Sequence, residues 1–454
     1  MAYQTINPAS GELVEHFAAW TPAQREVALA QVSAATPGWA ATTLEQRCRL
    51  LARLAEVVRA EQESLAQLVS LEMGKLVPEA RAEVEKCAQG CEYYARQAGR
   101  FLADELVETD AGRSLVAYQP LGTVLAVMPW NFPLWQVFRF IAPTLVAGNT
   151  GLLKHASNVP QCALAIERLL REAGFPEGVF RTLLIDAREV AEVIADPRVQ
   201  AVTLTGSEPA GRAVAAAAGQ HLKKSLLELG GSDAFVVLED ADLDLAVPQA
   251  VASRFLNCGQ SCIAAKRFIV VEAIAEDFVA RFATAAGRLC VGDPRDAQTG
   301  LAPMARADLR DELHAQVQAS IAAGAVRVIG GEPVAGPGAF YPPTILDQVR
   351  PGMVAYEQEL FGPVATVIRV ADEAAALATA NDSRFGLGGS VWTKDSARGE
   401  RFARRMQCGS AFVNGMVKSD PRLPFGGIKA SGYGRELSQH GLREFVNVKT
   451  LWIK

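Results

Sequence analysis

From residue 123 onward the chain repeats one pattern: a short apolar run, a helical stretch, then another apolar run. Thr123–Met128, Thr150–Lys154, Val179–Ile185, Val199–Thr205 and Ser225–Leu229 read as strands, with helices after Pro133 and from about Val159 to Ala173 among them. Near-continuous apolar runs belong to strands buried on both faces. Strands separated by helices pair in parallel through crossovers. The combination predicts an α/β protein with a mostly parallel sheet covered on both sides. The pattern returns in the second half, at Phe268–Val271, Val326–Ile329, Val364–Arg369, Gly389–Trp392 and Ser410–Val413. A second α/β unit is therefore expected, and 454 residues are enough for both.

The first hundred residues read differently. Thr21-Pro22 has the form of an N-cap followed by a first-turn proline, and the helix it opens is expected to end before Pro37. Thr43 opens a second helical region. From Leu44 to about Leu71 apolar residues recur at spacings of three and four, among them Leu50, Leu51, Leu54, Val57 and Val58. A further helix is expected from about Pro78 to Leu102.

Charge and cysteine usage narrow the function classes. The formal net charge is −5 and lysine and arginine form no long runs, which argues against nucleic acid or an anionic membrane as partner. No apolar run reaches the roughly 18 residues of a membrane span. The first residues lack the basic start and apolar stretch of a secretory signal. The eight cysteines are spread without the spacing of a disulfide scaffold, and neither Cys87/Cys91 nor Cys258/Cys262 has the second half of a zinc site nearby. A reducing cytoplasm and no metal are the expectation.

Four segments carry candidate chemistry, each a short polar or Gly/Pro-punctuated element beside an apolar strand: Pro129-Trp130-Asn131-Phe132-Pro133, Leu227-Glu228-Leu229-Gly230-Gly231, Gly259-Gln260-Ser261-Cys262 and Glu359-Leu360-Phe361-Gly362-Pro363. In an α/β protein, strand ends are where side chains are presented to a ligand. The set and its order strongly resemble the aldehyde dehydrogenase superfamily. The resemblance runs from Asn7-Pro8-Ala9-Ser10-Gly11-Glu12 to the segment Pro424–Arg435, and the interval of 34 residues from Glu228 to Cys262 is the family's usual one. Leu152–Ser157, Gly230–Asp233 and Glu436-Leu437-Ser438 look most like the short bacterial succinate-semialdehyde dehydrogenases.

The resemblance implies a division of labour among residues. Cys262 is the nucleophile whose thiolate attacks an aldehyde to give a thiohemiacetal. Asn131, with the backbone N–H of Cys262, stabilises the oxyanion. Hydride then leaves for NAD+ or NADP+, and Glu228 is the general base for the water that hydrolyses the resulting thioester. The usual Gly-x-Gly-x-x-Gly fingerprint is absent. Thr205-Gly206-Ser207 and Gly211 stand in its place, letting a helix N-terminus approach the pyrophosphate. Lys154 is implied at the adenosine ribose, with His155, Ala156 and Ser157 beside it. Ser157 is small and neutral, so NADP+ should be usable. Glu359 is implied at the nicotinamide ribose, and Phe361, Trp130 and Leu229 in the cofactor wall.

For the substrate, Arg139 follows Asn131 on the next helix, and its apolar neighbours Val137, Phe138, Phe140 and Ile141 make a charge there costly unless paired. The resemblance implies that it binds the carboxylate of a semialdehyde, succinate semialdehyde first. A second arginine often found six residues before the nucleophile is here Leu256, so Ser419, with Lys418 or Arg422, is expected to supply the missing contact. Two alternatives stand beside this reading: a CoA-acylating relative, in which a thiol resolves the thioester, and a non-catalytic structural protein. Glu228 favours hydrolysis over the first, and Cys262 with Glu228 argues against the second.

The family's architecture implies a Rossmann-type cofactor domain over residues 1–103 and 121–230, an α/β catalytic domain over 231–432, and a small β oligomerisation arm over 104–120 and 433–454. The apolar, alternating tail Phe445–Ile453 could add a strand to a partner's sheet in a homodimer or homotetramer. Cys258, four residues before Cys262, is a candidate resolving thiol, with a buried bystander as the other reading.

Overall fold

The computed structural model describes residues 3–454. Two sheets organise it. The first has six strands in the order 432–433, 224–228, 199–205, 123–128, 150–155 and 180–182, parallel except for the antiparallel edge pair at Gly432–Tyr433. The second has seven, in the order 326–329, 344–347, 364–370, 265–271, 233–237, 388–392 and 410–413, antiparallel only between its first two. The parallel strands are buried along nearly their whole length, as their unbroken apolar runs require.

Only Leu229–Ser232 separate Glu228, the last residue of a first-sheet strand, from Asp233, the first of a second-sheet strand. The carboxyl end of one sheet therefore meets the amino end of the other. Trp130, Asn131, Gly206 and Glu228 come from the first set of ends. Cys262, which precedes the strand Ala265–Val271, and Glu359, which precedes Val364–Val370, come from the second.

The helical N-terminal third packs onto the first sheet. Thr21 and Thr43 both form capping boxes, with Gln24 and Gln46. The first helix does not stop before Pro37 but runs Pro22–Ala40, with Trp39 of its last turn buried against Leu145 and Phe175. Burial of that indole holds the turn in spite of the proline. The region expected as one helix from Leu44 divides at Glu61 into Leu44–Ala60 and Gln62–Met73. The next helix is Val77–Phe101.

Residues 105–106, 113–120 and 446–453 form a separate three-stranded antiparallel sheet. Residues 432–433 belong instead to the edge of the six-stranded sheet, and the helix Ser438–Arg443 lies against Val77–Phe101 and Trp135–Val146. No helix among the described residues is long and apolar enough to cross a membrane.

Candidate active site

Cys262 borders a cavity of about 110 Å³, half-buried in its wall. The loop that carries it is held by buried cations. Lys266 donates from Nζ to the carbonyls of Ser261 and Cys262, each at 2.9 Å, and pairs with Glu359 at 3.1 Å. Arg254 donates to the carbonyls of Gly259 (3.0 Å), Leu360 (3.2 Å) and Gly362, binding the cysteine loop to the Glu359 loop. Asn257 and Cys258 take left-handed backbone conformations, and the amide of Asn257 donates to the carbonyls of Asn131 (2.8 Å) and Gln260 (3.0 Å). Burial pushes the Cys262 thiol up to about 12, with Arg139 and Lys266 drawing it down.

Asn131 is buried at the end of the strand Thr123–Met128. One hydrogen of its amide goes to the Gln260 carbonyl at 3.0 Å, which leaves the other to donate. Its loop is anchored by His155. The Ala156 N–H donates to His155 Nδ1 at 2.9 Å, so the ring proton sits on Nε2 and is donated to the Pro133 carbonyl at 2.8 Å. The ring is fully buried, its pKa is driven down to about 4 mainly by desolvation, and its two nitrogens are engaged with backbone groups that hold the Asn131 loop.

Glu228 ends its strand fully enclosed, and neither carboxylate oxygen accepts a hydrogen bond. Burial raises its pKa well above the carboxylate range, neighbouring Glu436 raises it further, and Arg139 and Arg435 oppose this. A glycine at 426 is needed beside it, since a Cβ there would lie 2.6 Å from Glu228 Oε1.

Several residues expected at a cofactor pack together. Trp130 and Phe361 meet edge to face at 5.8 Å. Glu359 lies over Gly230 and accepts the Gly231 N–H at 3.1 Å. A Cβ on Gly230 would strike the Glu359 carboxylate, and one on Gly231 would lie 2.7 Å from the Cys262 carbonyl, so both glycines permit the two loops to close. An apolar slot of about 200 Å³, lined by Val127, Val190, Ile194, Leu204 and Val214, has Lys154 as its one charged lining residue. Burial lowers the Lys154 pKa. Ser207 caps the helix Glu208–Gln220 without a side-chain bond to it. Gly206 precedes that helix, its N–H on the Glu228 carbonyl at 3.0 Å. An apolar slot with a lone cation, next to an uncapped helix start and a carboxylate over two glycines, fits a dinucleotide's adenine, phosphates and ribose. Three expected contacts have other partners. Thr205 Oγ1 receives a long bond from Arg139 (3.4 Å). Gly211 is where the helix crosses Leu229, whose Cδ2 would lie 2.6 Å from a Cβ there. Ser157 lines a separate cavity with Asn7 and Arg306, its carbonyl bonded to the Gln4 N–H at 3.1 Å.

At the substrate end, Arg139, Ser419, Lys418 and Leu256 line the same cavity as Cys262. Arg139 is not a free cation, however. Its Nε is in ion-pair contact with the buried Glu436, though not as an aligned hydrogen bond, and its guanidinium stacks on Phe425 at 4.7 Å. Arg422 is exposed and paired with Asp420 at 2.6 Å, away from the cavity. Ser419 accepts from Lys86 Nζ at 2.7 Å and from Trp135 Nε1 at 3.2 Å. Sequence reasoning missed Lys86, Trp135, Lys266, Arg254, Asn257 and Glu436. Buried lysine and arginine are rare without a role, but only burial marks them out, and burial of one charged residue within a helix is not readable from its neighbours.

Cys262 thus borders the cavity, the Asn131 amide is tied to its loop through the Gln260 carbonyl, and the buried Glu228 carboxylate is near enough to act on its thiol. The profile of the "Aldehyde dehydrogenase family" matches residues 1–451. The chain belongs to the aldehyde dehydrogenase family. It is an enzyme of the α/β class with that family's fold. It is 52% identical over 453 residues to a probable succinate-semialdehyde dehydrogenase [NADP(+)] of Synechocystis, covering 100% of both chains. With succinate-semialdehyde dehydrogenase [NADP(+)] 1 of Mycobacterium tuberculosis it is 50% identical over 456 residues, again covering 100% of both. Its fold overlays that of a succinic semialdehyde dehydrogenase from Streptococcus pyogenes in complex with NADP+ with a TM-score of 0.98, at 40% identity and 100% coverage of both chains. Aldehyde dehydrogenases oxidise small aldehydes, which is the partner class of this chain.

Proposed function

We propose that this enzyme oxidises succinate semialdehyde to succinate with NADP+ and also tolerates NAD+. The observation that carries the substrate assignment is the charge of the cavity beside Cys262. Lys86, Arg139 and Lys418 line it, and among the described residues no carboxylate does. An aldehyde with a carboxylate at its far end is the complementary ligand. The names of the relatives in Synechocystis and Mycobacterium support the same substrate and cofactor.

In this reading the Cys262 thiol gives its proton to solvent in the cavity, and the sulfur adds to the aldehyde carbon. The free N–H of Asn131 and the backbone N–H of Cys262 hold the oxygen that becomes negative. The bound nicotinamide supplies a hydride acceptor. What remains on Cys262 is a thioester. Glu228 takes a proton from water, hydroxide adds to the thioester carbon, and the sulfur leaves with the acid released. Burial raises the proton affinity of Glu228, which makes it a stronger base toward water than an exposed carboxylate. Lys154 and the N-terminus of Glu208–Gln220 hold the nucleotide, Glu359 its second ribose, and Trp130 and Phe361 the ring. Ser419 faces the far end of the substrate, and Arg139, its guanidinium fixed by Glu436, completes the cavity wall there.

We divide the chain as the sequence suggests, into cofactor, catalytic and arm segments, and assign the arm sheet to self-association. Val448, Trp452 and Ile453 are exposed on its outer strand, as an unpaired edge in one subunit would be. A cytoplasmic site fits the cysteines, all eight of which are free. The test is the growth of reduced cofactor with succinate semialdehyde and with butanal, using NADP+ or NAD+, with and without CoA. Turnover without CoA and a preference for the charged aldehyde are expected. A strict need for CoA would replace hydrolysis by acyl transfer.

A further inference from the structure

Arg139 lies at the cavity wall, but its charge is matched by Glu436, with which it forms a buried pair. Recognition of a substrate carboxylate calls for a cation whose charge is not already spent. Lys86, on the helix Val77–Phe101, has that property. No carboxylate lies within ion-pair distance of its Nζ among the described residues, although it lines the cavity that Cys262 borders. Its Nζ sits 4.6 Å from the centre of the Trp135 ring and donates to Ser419 Oγ at 2.7 Å.

The hydroxyl of Ser419 then has an unusual position. It already accepts two hydrogen bonds, from Lys86 and from the Trp135 indole. Both lone pairs are used, and its own proton has no acceptor in the protein. That proton and the two remaining N–H bonds of the ammonium are donors without partners at one edge of the cavity. A carboxylate is the group that accepts from both.

We propose that Lys86, seated on Ser419 and Trp135, is the specificity-determining cation that holds the distal carboxylate of the aldehyde substrate. This rests on the semialdehyde reading above and deepens it. The positioning is built in. Glu83, one turn earlier on the same helix, is engaged by Lys75 and accepts the N–H groups of Leu134 and Trp135 at 2.9 Å each, fixing the start of the helix that carries Trp135 and Arg139.

A pH signature follows. Burial, with Arg139 of the same cavity wall adding to it, lowers the Lys86 pKa to about 8 against the opposing effects of Cys87, Glu83 and Asp420. Lys418 also lines the cavity, next to Asp420 in sequence. As pH rises through about 8, Lys86 loses its charge and the carboxylate loses its partner. A neutral aldehyde does not sense this step. Titration of Cys262 and Glu228 affects both aldehydes alike and cancels in the ratio of their kcat/KM values.

The experiment measures kcat/KM for succinate semialdehyde and for butanal across this pH range in the full-length enzyme, then in Lys86→Met and Lys86→Arg. In the unaltered enzyme the ratio of the two should fall above about pH 8. In Lys86→Met it should drop by about tenfold to a hundredfold, the range of a charge-assisted hydrogen bond, with butanal little changed and the pH dependence of the ratio gone. Lys86→Arg keeps the charge and should recover part of the loss. An equal loss on both aldehydes in Lys86→Met, or a ratio that is flat with pH in the unaltered enzyme, overturns the assignment. Should Lys86→Met fail to fold, the pH profile of the unaltered enzyme decides alone. If the unaltered enzyme shows no preference for the charged aldehyde at any pH, the semialdehyde reading itself fails, a result distinct from a preference that survives loss of Lys86.

Discussion

His155 permits a prediction in which stability and function move together. Its ring accepts from the Ala156 N–H and donates to the Pro133 carbonyl, both in full burial. His155→Leu keeps the apolar bulk and leaves those two backbone groups without partners. At about 1–3 kcal/mol for each stranded group, the variant should be less stable than the parent by about 2–6 kcal/mol at neutral pH. The gap should shrink in acid. The parent's ring has its pKa driven from 6.5 in the unfolded chain to about 4 in the fold. Between those values the unfolded state takes up a proton that the folded state refuses, so stability is lost as pH falls from 6.5 toward 4. The full loss is about 3 kcal/mol, and about 2 kcal/mol of it is reached by pH 5. Leucine does not titrate, and the buried carboxyls of Glu228 and Glu436 are common to both proteins. Urea unfolding of parent and variant at about pH 7.5 and pH 5 reads the difference. Activity should fall through kcat, because Pro133 ends the loop that presents Asn131, while the NADP+ dissociation constant stays as in the parent. A stability gap that is constant with pH, or weakened NADP+ binding with kcat intact, refutes this account and returns His155 to the cofactor site.

Other perturbations separate the remaining roles. Glu228→Ala should give a burst of reduced cofactor equal to the active sites, followed by turnover slowed by about a hundredfold or more, seen by stopped flow; full steady-state turnover would remove the residue from hydrolysis. Because the Glu228 pKa is raised, the hydrolytic step in the parent should quicken as pH rises through that pKa, and this dependence should vanish in the variant. Arg139→Met strands the buried Glu436 carboxylate, so it should cost about 3–5 kcal/mol of stability and reduce activity on charged and uncharged aldehydes alike. Trp452→Asp with Val448→Asp, on the exposed face of the arm, should shift the protein to a smaller species in light scattering if that strand joins subunits; an unchanged mass would exclude it.

The sequence by itself determined the fold class and marked out the segments of the proposed chemical core. Long apolar runs separated by helices allow little but buried parallel strands, and Val199–Thr205, Val326–Ile329 and Ser410–Val413 emerge with the bounds read from the pattern alone. Cys262, Asn131 and Glu228 were legible because each lies in a short, distinctive segment at a strand end. The strand Asp233–Val237 was not marked out, since it follows Glu228 after four residues with no helix between to announce it. Only the tertiary structure decided which charges are free. His155 and Arg139 read as ligand groups from their neighbours in the chain, yet one is turned onto the Pro133 carbonyl and the other is matched by Glu436, nearly 300 residues further along. Lys86 reads as one more charge in a polar helix and becomes a cation of the cavity wall with no carboxylate paired to it among the described residues. The physical reason is that charge and hydrogen-bonding capacity belong to a residue type, whereas the partner that uses them up is set by which distant elements the fold packs together.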